Sequence, residues 1–177
     1  MTADPFPGQP ATDREELEGL YRQEAKKVIA LLLWLGATWE LAEDATQEAF
    51  LQAQRCWTKL RRYDKPGAWI RMVAVQRFRN AYKRGLREVP WASDPDEKLA
   101  EDPGLELTAR VAEVWQAVRA LSRRQREVAV LFYQGDLSIN QIAEVLHLTP
   151  GTVKTHLHHA RAQLANRLGE DDQGGTQ

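Results

Sequence analysis

Apolar residues recur at steps of three and four along nearly all of this chain, and no stretch shows the two-residue alternation of a half-buried strand. That period belongs to the α-helix, so an all-α fold is expected. The pattern fails once, from Leu86 to Gly104, where Pro90, Pro95, Pro103 and a run of acidic residues (Glu88, Asp94, Asp96, Glu97, Glu101, Asp102) take over. A break of that composition reads as an extended linker. The expected organisation is two helical domains, a three- or four-helix bundle over 13–87 and a second unit over 105–168. An acidic, proline-containing linker over 88–104 joins them, with a disordered lead-in (1–12) and tail (169–177) outside.

Within the bundle, Leu17, Leu20, Tyr21, Val28, Leu31, Leu32 and Leu35 mark a first helix beginning near Glu15, with Gly36 where a C-cap residue belongs. Leu41, Ala45, Ala49, Ala53 and Cys56 mark the inward face of a second, whose alanines permit close approach to a neighbour. Pro66 suits the first position of a third, continued by Ile70, Val73, Ala74 and Ala81. In the second unit, Val111, Val114, Trp115 and Val118 form one stripe and Val128, Leu131 and Phe132 the next. Two S-x-x-Q signatures, Ser122 to Gln125 and Ser138 to Gln141, and Thr149 before Pro150 place three helix starts.

The formal net charge is -1 over 177 residues, which by itself favours neither a polyanion nor a polycation as partner. The sum hides blocks: counting Lys and Arg against Asp and Glu, residues 55–87 carry +10 and residues 119–168 carry +4. Attraction to phosphate depends on the field within about 10 Å, so two basic segments are what a protein touching nucleic acid twice would show. An ordinary solvated helix face can give the same charge run. In the first block, however, Trp57, Tyr63, Trp69, Phe78 and Tyr82 interleave with the cations, and rings stack on unpaired bases for about 1–3 kcal/mol each. Some of these rings, Trp69 in particular, suit a core position equally well, because a tryptophan on a helix stripe usually belongs there.

Other classes are excluded more directly. One cysteine, Cys56, allows no internal disulfide and fits a reducing, cytoplasmic setting. The longest apolar run, residues 28–37, is too short to span a bilayer, so no membrane insertion is expected. No G-x-S-x-G, H-E-x-x-H or P-loop string occurs, so neither an enzyme nor a cofactor is expected. His156 and His159 at i,i+3 lack the further ligands of a closed metal site, and no metal is expected.

From Ser138 to Leu168 the stripes Ile139, Ile142, Ala143, Leu146 and Val153, Leu157, Ala160, Leu164 flank a short turn, which is helix-turn-helix spacing. In that motif the second helix enters the major groove. Its exposed residues here are Thr152, Lys154, Thr155, His156, His158, His159 and Arg161. The string Ile142-Ala143, Leu146, Thr149, Gly151-Thr152-Val153-Lys154, Leu157, Ala160-Arg161 resembles region four of bacterial sigma factors of the extracytoplasmic-function group, within the sigma-70 family. Ala42-Glu43-Asp44-Ala45-Thr46-Gln47-Glu48-Ala49-Phe50-Leu51-Gln52-Ala53 is similar to the same family's region-two string. Ala68 to Ile70 and the tract Arg77 to Arg84 follow in the family's order.

The resemblance implies a factor that binds core RNA polymerase, directs it to promoters and helps to open the DNA, with polymerase supplying the chemistry. It implies polymerase contacts at Asp44, Gln47, Glu48 and Phe50, and contacts to the minus-ten element at Arg61, Arg62, Tyr63, Lys65, Trp69, Arg77, Asn80, Lys83 and Arg84. The stretch from Leu60 to Pro66 would line a pocket for an extruded base. The seven residues of the second motif helix would read the minus-thirty-five element. Partners would be polymerase, promoter DNA in duplex and single-stranded form, and an anti-sigma factor. Departures from the family pattern are Gln76 and Asn80, His147 at a turn position usually held by Gly, and His156 and His159 in place of Arg. Imidazoles are mostly neutral above about pH 6.5, so this helix either leans on base-edge hydrogen bonds or grips DNA better in acid. The alternative reading is a polymerase-independent helix-turn-helix regulator with a sensing or dimerising bundle, or a decoy that occupies polymerase without melting DNA.

Overall fold

The computed structural model describes residues 11–85 and 109–170, and among them every regular element is an α-helix. The N-terminal half comprises α1 (Ala11–Trp34), α2 (Trp39–Arg55), a single turn α3 (Trp57–Leu60) and α4 (Pro66–Gly85). The C-terminal half comprises α5 (Ala109–Arg119), α6 (Arg123–Tyr133), α7 (Ile139–Leu146) and α8 (Pro150–Glu170). Most of the expected lead-in, the expected linker and all but the start of the expected tail lie outside the described residues. No helix among the described residues is long and apolar enough to cross a membrane.

Helix α1 starts about one turn ahead of Glu15, where apolar periodicity places it. The cause is polar: Asp13 is buried and ion-paired with Arg61, and Arg61 also reaches Glu16 at 2.8 Å, so the first turn is tied down from outside the stripe. The helix ends as expected at Gly36, whose φ of 90° is left-handed. Gly36 N–H donates to Leu33 O and Ala37 N–H to Leu32 O, each at 2.9 Å, which satisfies the last carbonyls.

Thr38 caps α2, accepting from Leu41 N–H at 3.3 Å. The buried face of α2 is Ala42, Ala45, Thr46, Ala49, Phe50 and Ala53. It is therefore rotated from the expected stripe, and Leu41 and Cys56 are only half-buried. Thr46 tolerates the alanine seam because its hydroxyl donates to Ala42 O at 2.7 Å. The short α3 was not legible as a helix, yet it brings Trp57 and Leu60, 4% and 1% exposed, into the core. Pro66 opens α4, whose residues Ile70, Val73, Ala74, Val75 and Phe78 complete the bundle with α1 and α2.

Caps position the C-terminal half as the sequence signatures indicate. Ser122 N–H donates to Gln125 Oε1 at 3.2 Å and Ser138 N–H to Gln141 Oε1 at 2.9 Å. Thr149 accepts from Thr152 N–H at 3.2 Å and starts α8. His147, in a glycine's place in the motif turn, adopts the left-handed conformation (φ 55°, ψ 48°) and the turn is not shifted; Leu148 N–H closes α7 on Ala143 O at 2.9 Å. Trp115, Val128, Leu131, Ile142, Val145 and Val153 fill the interior.

The two halves are in contact. Trp34 of α1 and Trp115 of α5 meet edge to face with ring centroids 4.0 Å apart, and α4 packs on α7 beside them. Such a ring pair is worth about 0.5–1.5 kcal/mol beyond the area it buries.

Candidate functional site

On α2, burying the alanine seam against α1 and α4 leaves Asp44, Gln47 and Glu48 exposed together on the opposite face. Phe50 is not presented with them: it is 7% exposed and stacks edge-on against Tyr21, centroids 4.8 Å apart. It forms the floor of a cleft of about 280 Å³ between α1 and α2, whose walls include Leu17, Tyr21, Gln47, Leu51 and Gln54. Leu51 is 53% exposed and Tyr21 46%. These two escaped the sequence reading. Leu51 carried a signal, an aliphatic residue off the alanine seam, whereas Tyr21 falls on the α1 stripe and looked like core.

Behind that face runs the basic segment. Arg62, Tyr63 and Lys65 are exposed on the loop between α3 and α4, and Trp69 is half-buried on the first turn of α4. Tyr63 and Trp69, with Gln52, Arg55, Cys56, Lys59 and Leu60, line a cleft of about 230 Å³. Its rims are cationic and two of its walls are rings, so a planar, electron-rich group bearing a phosphate suits it chemically. Arg77, Asn80 and Lys83 are exposed further along α4; Arg84 also lies in α4, with its side chain outside the described ones. Of the five interleaved aromatics, Trp57 and Phe78 are buried in the core, at 4% and 8% exposure.

Several of these cations already have partners. Arg61 is held by Asp13 and Glu16, and Lys65 reaches Asp136 at 3.3 Å. Arg77 donates to Gln52 Oε1 at 2.7 Å and lies 3.6 Å from Glu48, which links a polymerase candidate to a DNA candidate. Arg79 is 3.6 Å from Glu127, a carboxylate shared with Arg123 and Arg124. Burial pulls the Arg79 guanidinium below the ordinary arginine value, and Glu127 opposes that pull.

Helix α8 presents Lys154, Thr155, His158, His159 and Arg161 to solvent, while Val153, Leu157 and Ala160 face the core. Thr152 and His156 flank that face and are half-buried. The Thr152 hydroxyl pairs with that of Thr149 at 2.8 Å, and the Thr155 hydroxyl donates to Gly151 O at 3.1 Å, which leaves Thr155 chiefly as an acceptor in any readout. Arg161 Nε donates to Tyr133 Oη at 2.7 Å, and its guanidinium carbon lies 5.4 Å from the Phe132 ring centroid. That fixes a cation at the edge of the helix face. Arg126 donates to the carbonyls of Arg119 and Leu121 at 2.9 and 3.1 Å, joining α6 to the end of α5.

The structure thus brings the α2 face and the α4 cations side by side and keeps the α8 face as a separate surface. Comparison with known proteins recovers the same division. The family described as Sigma-70 region 2 matches residues 20–88, and that described as Sigma-70, region 4 matches residues 112–164. ECF RNA polymerase sigma factor SigM of Mycobacterium tuberculosis is 29% identical over 159 residues, covering 90% of this chain and 80% of the relative. RNA polymerase sigma-E factor of Streptomyces avermitilis is 30% identical over 132 residues, covering 74% and 73%. Among solved structures, the sigma factor RpoE of Bartonella quintana, in complex with the anti-sigma factor NepR, aligns with a TM-score of 0.58 at 17% identity. That alignment covers 88% of this chain and 98% of the other. CnrH in complex with the cytosolic domain of CnrY aligns with a TM-score of 0.55 at 20% identity, covering 89% and 90%.

Proposed function

This chain belongs to the sigma-70 family and to its extracytoplasmic-function group, and from that premise we propose which of its surfaces meets polymerase and which meets DNA. As a sigma factor it directs RNA polymerase in the initiation of transcription. The exposed Asp44, Gln47 and Glu48, with Leu51 and Tyr21 over the Phe50 floor, form the polymerase surface. Carboxylates around an apolar cleft suit a partner helix with a basic rim and an aliphatic ridge.

Arg61, Arg62, Tyr63, Lys65, Trp69, Arg77, Asn80, Lys83 and Arg84 serve the minus-ten element: cations follow the backbone, and the cleft beside Tyr63 and Trp69 receives an extruded base. Extrusion costs a few kcal/mol, which stacking and polymerase binding must offset. The exposed face of α8, from Thr152 to Arg161, reads the minus-thirty-five duplex. On this reading 13–87 and 105–168 are the two working domains, the factor acts in the cytoplasm where polymerase is, and catalysis belongs to polymerase. An anti-sigma partner is part of the same proposal; RpoE, a neighbour in fold, was solved with one.

The observation that carries this reading is the adjacency of the α2 and α4 surfaces through Arg77 and Glu48, with α8 exposed apart from both. Transcription of genomic fragments by purified core polymerase tests it. New start sites are expected when the protein is added, and their absence overturns the reading.

A further inference from the structure

Arg161 differs from Arg61, Arg71 and Arg79 in what holds it. Each of those three is tied to a carboxylate from elsewhere in the chain, so the contact that fixes its position also neutralises it. Arg161 is fixed by groups that carry no charge. Its Nε donates to Tyr133 Oη at 2.7 Å, and its guanidinium carbon lies 5.4 Å from the Phe132 ring centroid and 5.8 Å from that of Tyr133. Among the described residues no carboxylate pairs with it. Tyr133, the last residue of α6, is 55% exposed and has no part in any surface assigned above.

The frame around this cation is built from the core outward. Ala160, next to Arg161, packs with Ala129 and Leu121, and these small residues let α6 and α8 approach closely. Tyr133 follows Ala129 by one helical turn and so comes within reach of Arg161. Phe132 is packed against the core, and Tyr133 meets it edge to face with centroids 5.1 Å apart. A long side chain is thereby placed before any ligand arrives, which lowers the entropy lost on binding. A guanidinium has five N–H groups; Tyr133 takes the one on Nε and leaves the four on the two Nη atoms.

Lys154 and Arg161 are seven residues apart on α8, about 10 Å along its axis and within about 20° of the same face. A major groove is about 12 Å wide. When the start of α8 enters it, Arg161 comes to the rim, where the phosphates lie.

Resting on the proposed function, we propose that Phe132, Tyr133 and Arg161 form a clamp for a backbone phosphate of the duplex that α8 reads, with Tyr133 as its positioning residue. The charged Nη end grips the phosphate oxygens, a match of fork to tetrahedral anion that a flexible ammonium does not reproduce. Tyr133 acts through Arg161: it holds the guanidinium on the α6 flank of the helix, away from the base edges. A contact of this kind carries no sequence information and sets the depth and angle at which α8 sits. Continuity with the exposed Lys154 and Thr155 favours DNA as the occupant over an acidic protein surface.

The test uses the full chain and a fluorescent random-sequence duplex, titrated between about 50 and 200 mM salt. Arg161→Gln should weaken binding about tenfold at the lowest salt and flatten the slope of log K against log salt by about 0.9. Tyr133→Phe keeps the ring and the cation, and should weaken binding about threefold with a slope between those of wild type and Arg161→Gln. Arg161→Lys should also lose about threefold although it keeps the charge. In the Arg161→Gln background, Tyr133→Phe should add less than about 1.5-fold, as expected of a residue that works through Arg161. The thermal midpoint of Tyr133→Phe should stay within a few degrees of wild type, because the hydroxyl it removes is at the surface. Where the free chain binds too weakly to titrate, the same ratios are read with holoenzyme on a genomic fragment that it transcribes.

Wild-type binding by Tyr133→Phe or by Arg161→Lys overturns the clamp. So does an equal loss from Tyr133→Phe with and without Arg161. Duplex binding untouched by Arg161→Gln overturns it as well, and returns the cation to an acidic protein partner. A wild-type chain that gives polymerase no new start sites fails the sigma-factor reading itself; new start sites together with undiminished Tyr133→Phe binding fail the clamp alone.

Discussion

Arg71 Nε donates to the carbonyl oxygen of Gly135 at 2.7 Å, joining α4 of one half to the turn that precedes the helix-turn-helix of the other. The carbonyl is available because the chain turns tightly at Gly135. A Cβ built there would lie 2.4 Å from Leu131 O, closer than any real side chain sits, so the position admits only glycine without a backbone shift.

Gly135→Ala should therefore destabilise the protein by about 1–3 kcal/mol, the usual cost of forced overpacking. Urea denaturation followed by circular dichroism measures it. An unchanged midpoint would mean that the turn relaxes freely.

Arg71→Met leaves Glu24 buried with Lys27 as its remaining partner, at 3.0 Å. Removing one member of a buried pair costs about 3–5 kcal/mol when nothing compensates, and Lys27 should hold the loss near the lower end. The double variant Glu24→Met with Arg71→Met should recover most of the stability. If the double variant is as unstable as the single one, packing and not charge is responsible.

Asp44→Ala combined with Gln47→Ala should weaken binding to core polymerase by about tenfold or more, equivalent to about 1.4 kcal/mol, while the thermal midpoint stays within a few degrees. Leu51→Ala, at a site found from structure, should do likewise because its side chain is exposed beside the Phe50 cleft. Polymerase binding by Leu51→Ala equal to that of wild type would remove the cleft from the interface.

His156→Arg and His159→Arg each add a fixed cation to α8. For duplex promoter DNA, each should steepen the fall of log K with log salt concentration by about 0.9 if the new cation reaches a phosphate. Lys154→Ala should flatten the slope by about the same amount. A slope unmoved by all three substitutions would show that this helix contacts base edges alone.

Much of this protein was open to sequence reasoning because the signals involved are local. Helical period marked the stripes of α1, α4, α6 and α8, and S-x-x-Q and Thr-Pro placed three starts that the structure confirms to the residue. The motif turn marked His147 as standing in a glycine's place, which left either a left-handed backbone or a shifted turn, and the structure has the first. The misses share a cause. Asp13 extends α1 through a partner 48 residues away, Trp57 and Phe78 belong to the core, and Phe50 turns inward to meet Tyr21. Each depends on which neighbour arrives from elsewhere in the chain, and no three-or-four spacing records that.

The sequence by itself determined the all-α class, the two modules with their order, the helix-turn-helix spacing and the concentration of positive charge in residues 55–87. Those properties follow from side chains a turn or two apart and from motifs read in order. Only the tertiary structure decided that the halves close on each other, that Glu127 and Asp136 meet the cations of the N-terminal half, and that Leu51 and Tyr21 stay exposed over a cleft. The physical reason is that docking sums many weak, non-local contacts of shape and charge across residues 86–108, and a linear pattern carries no term for which surfaces will meet.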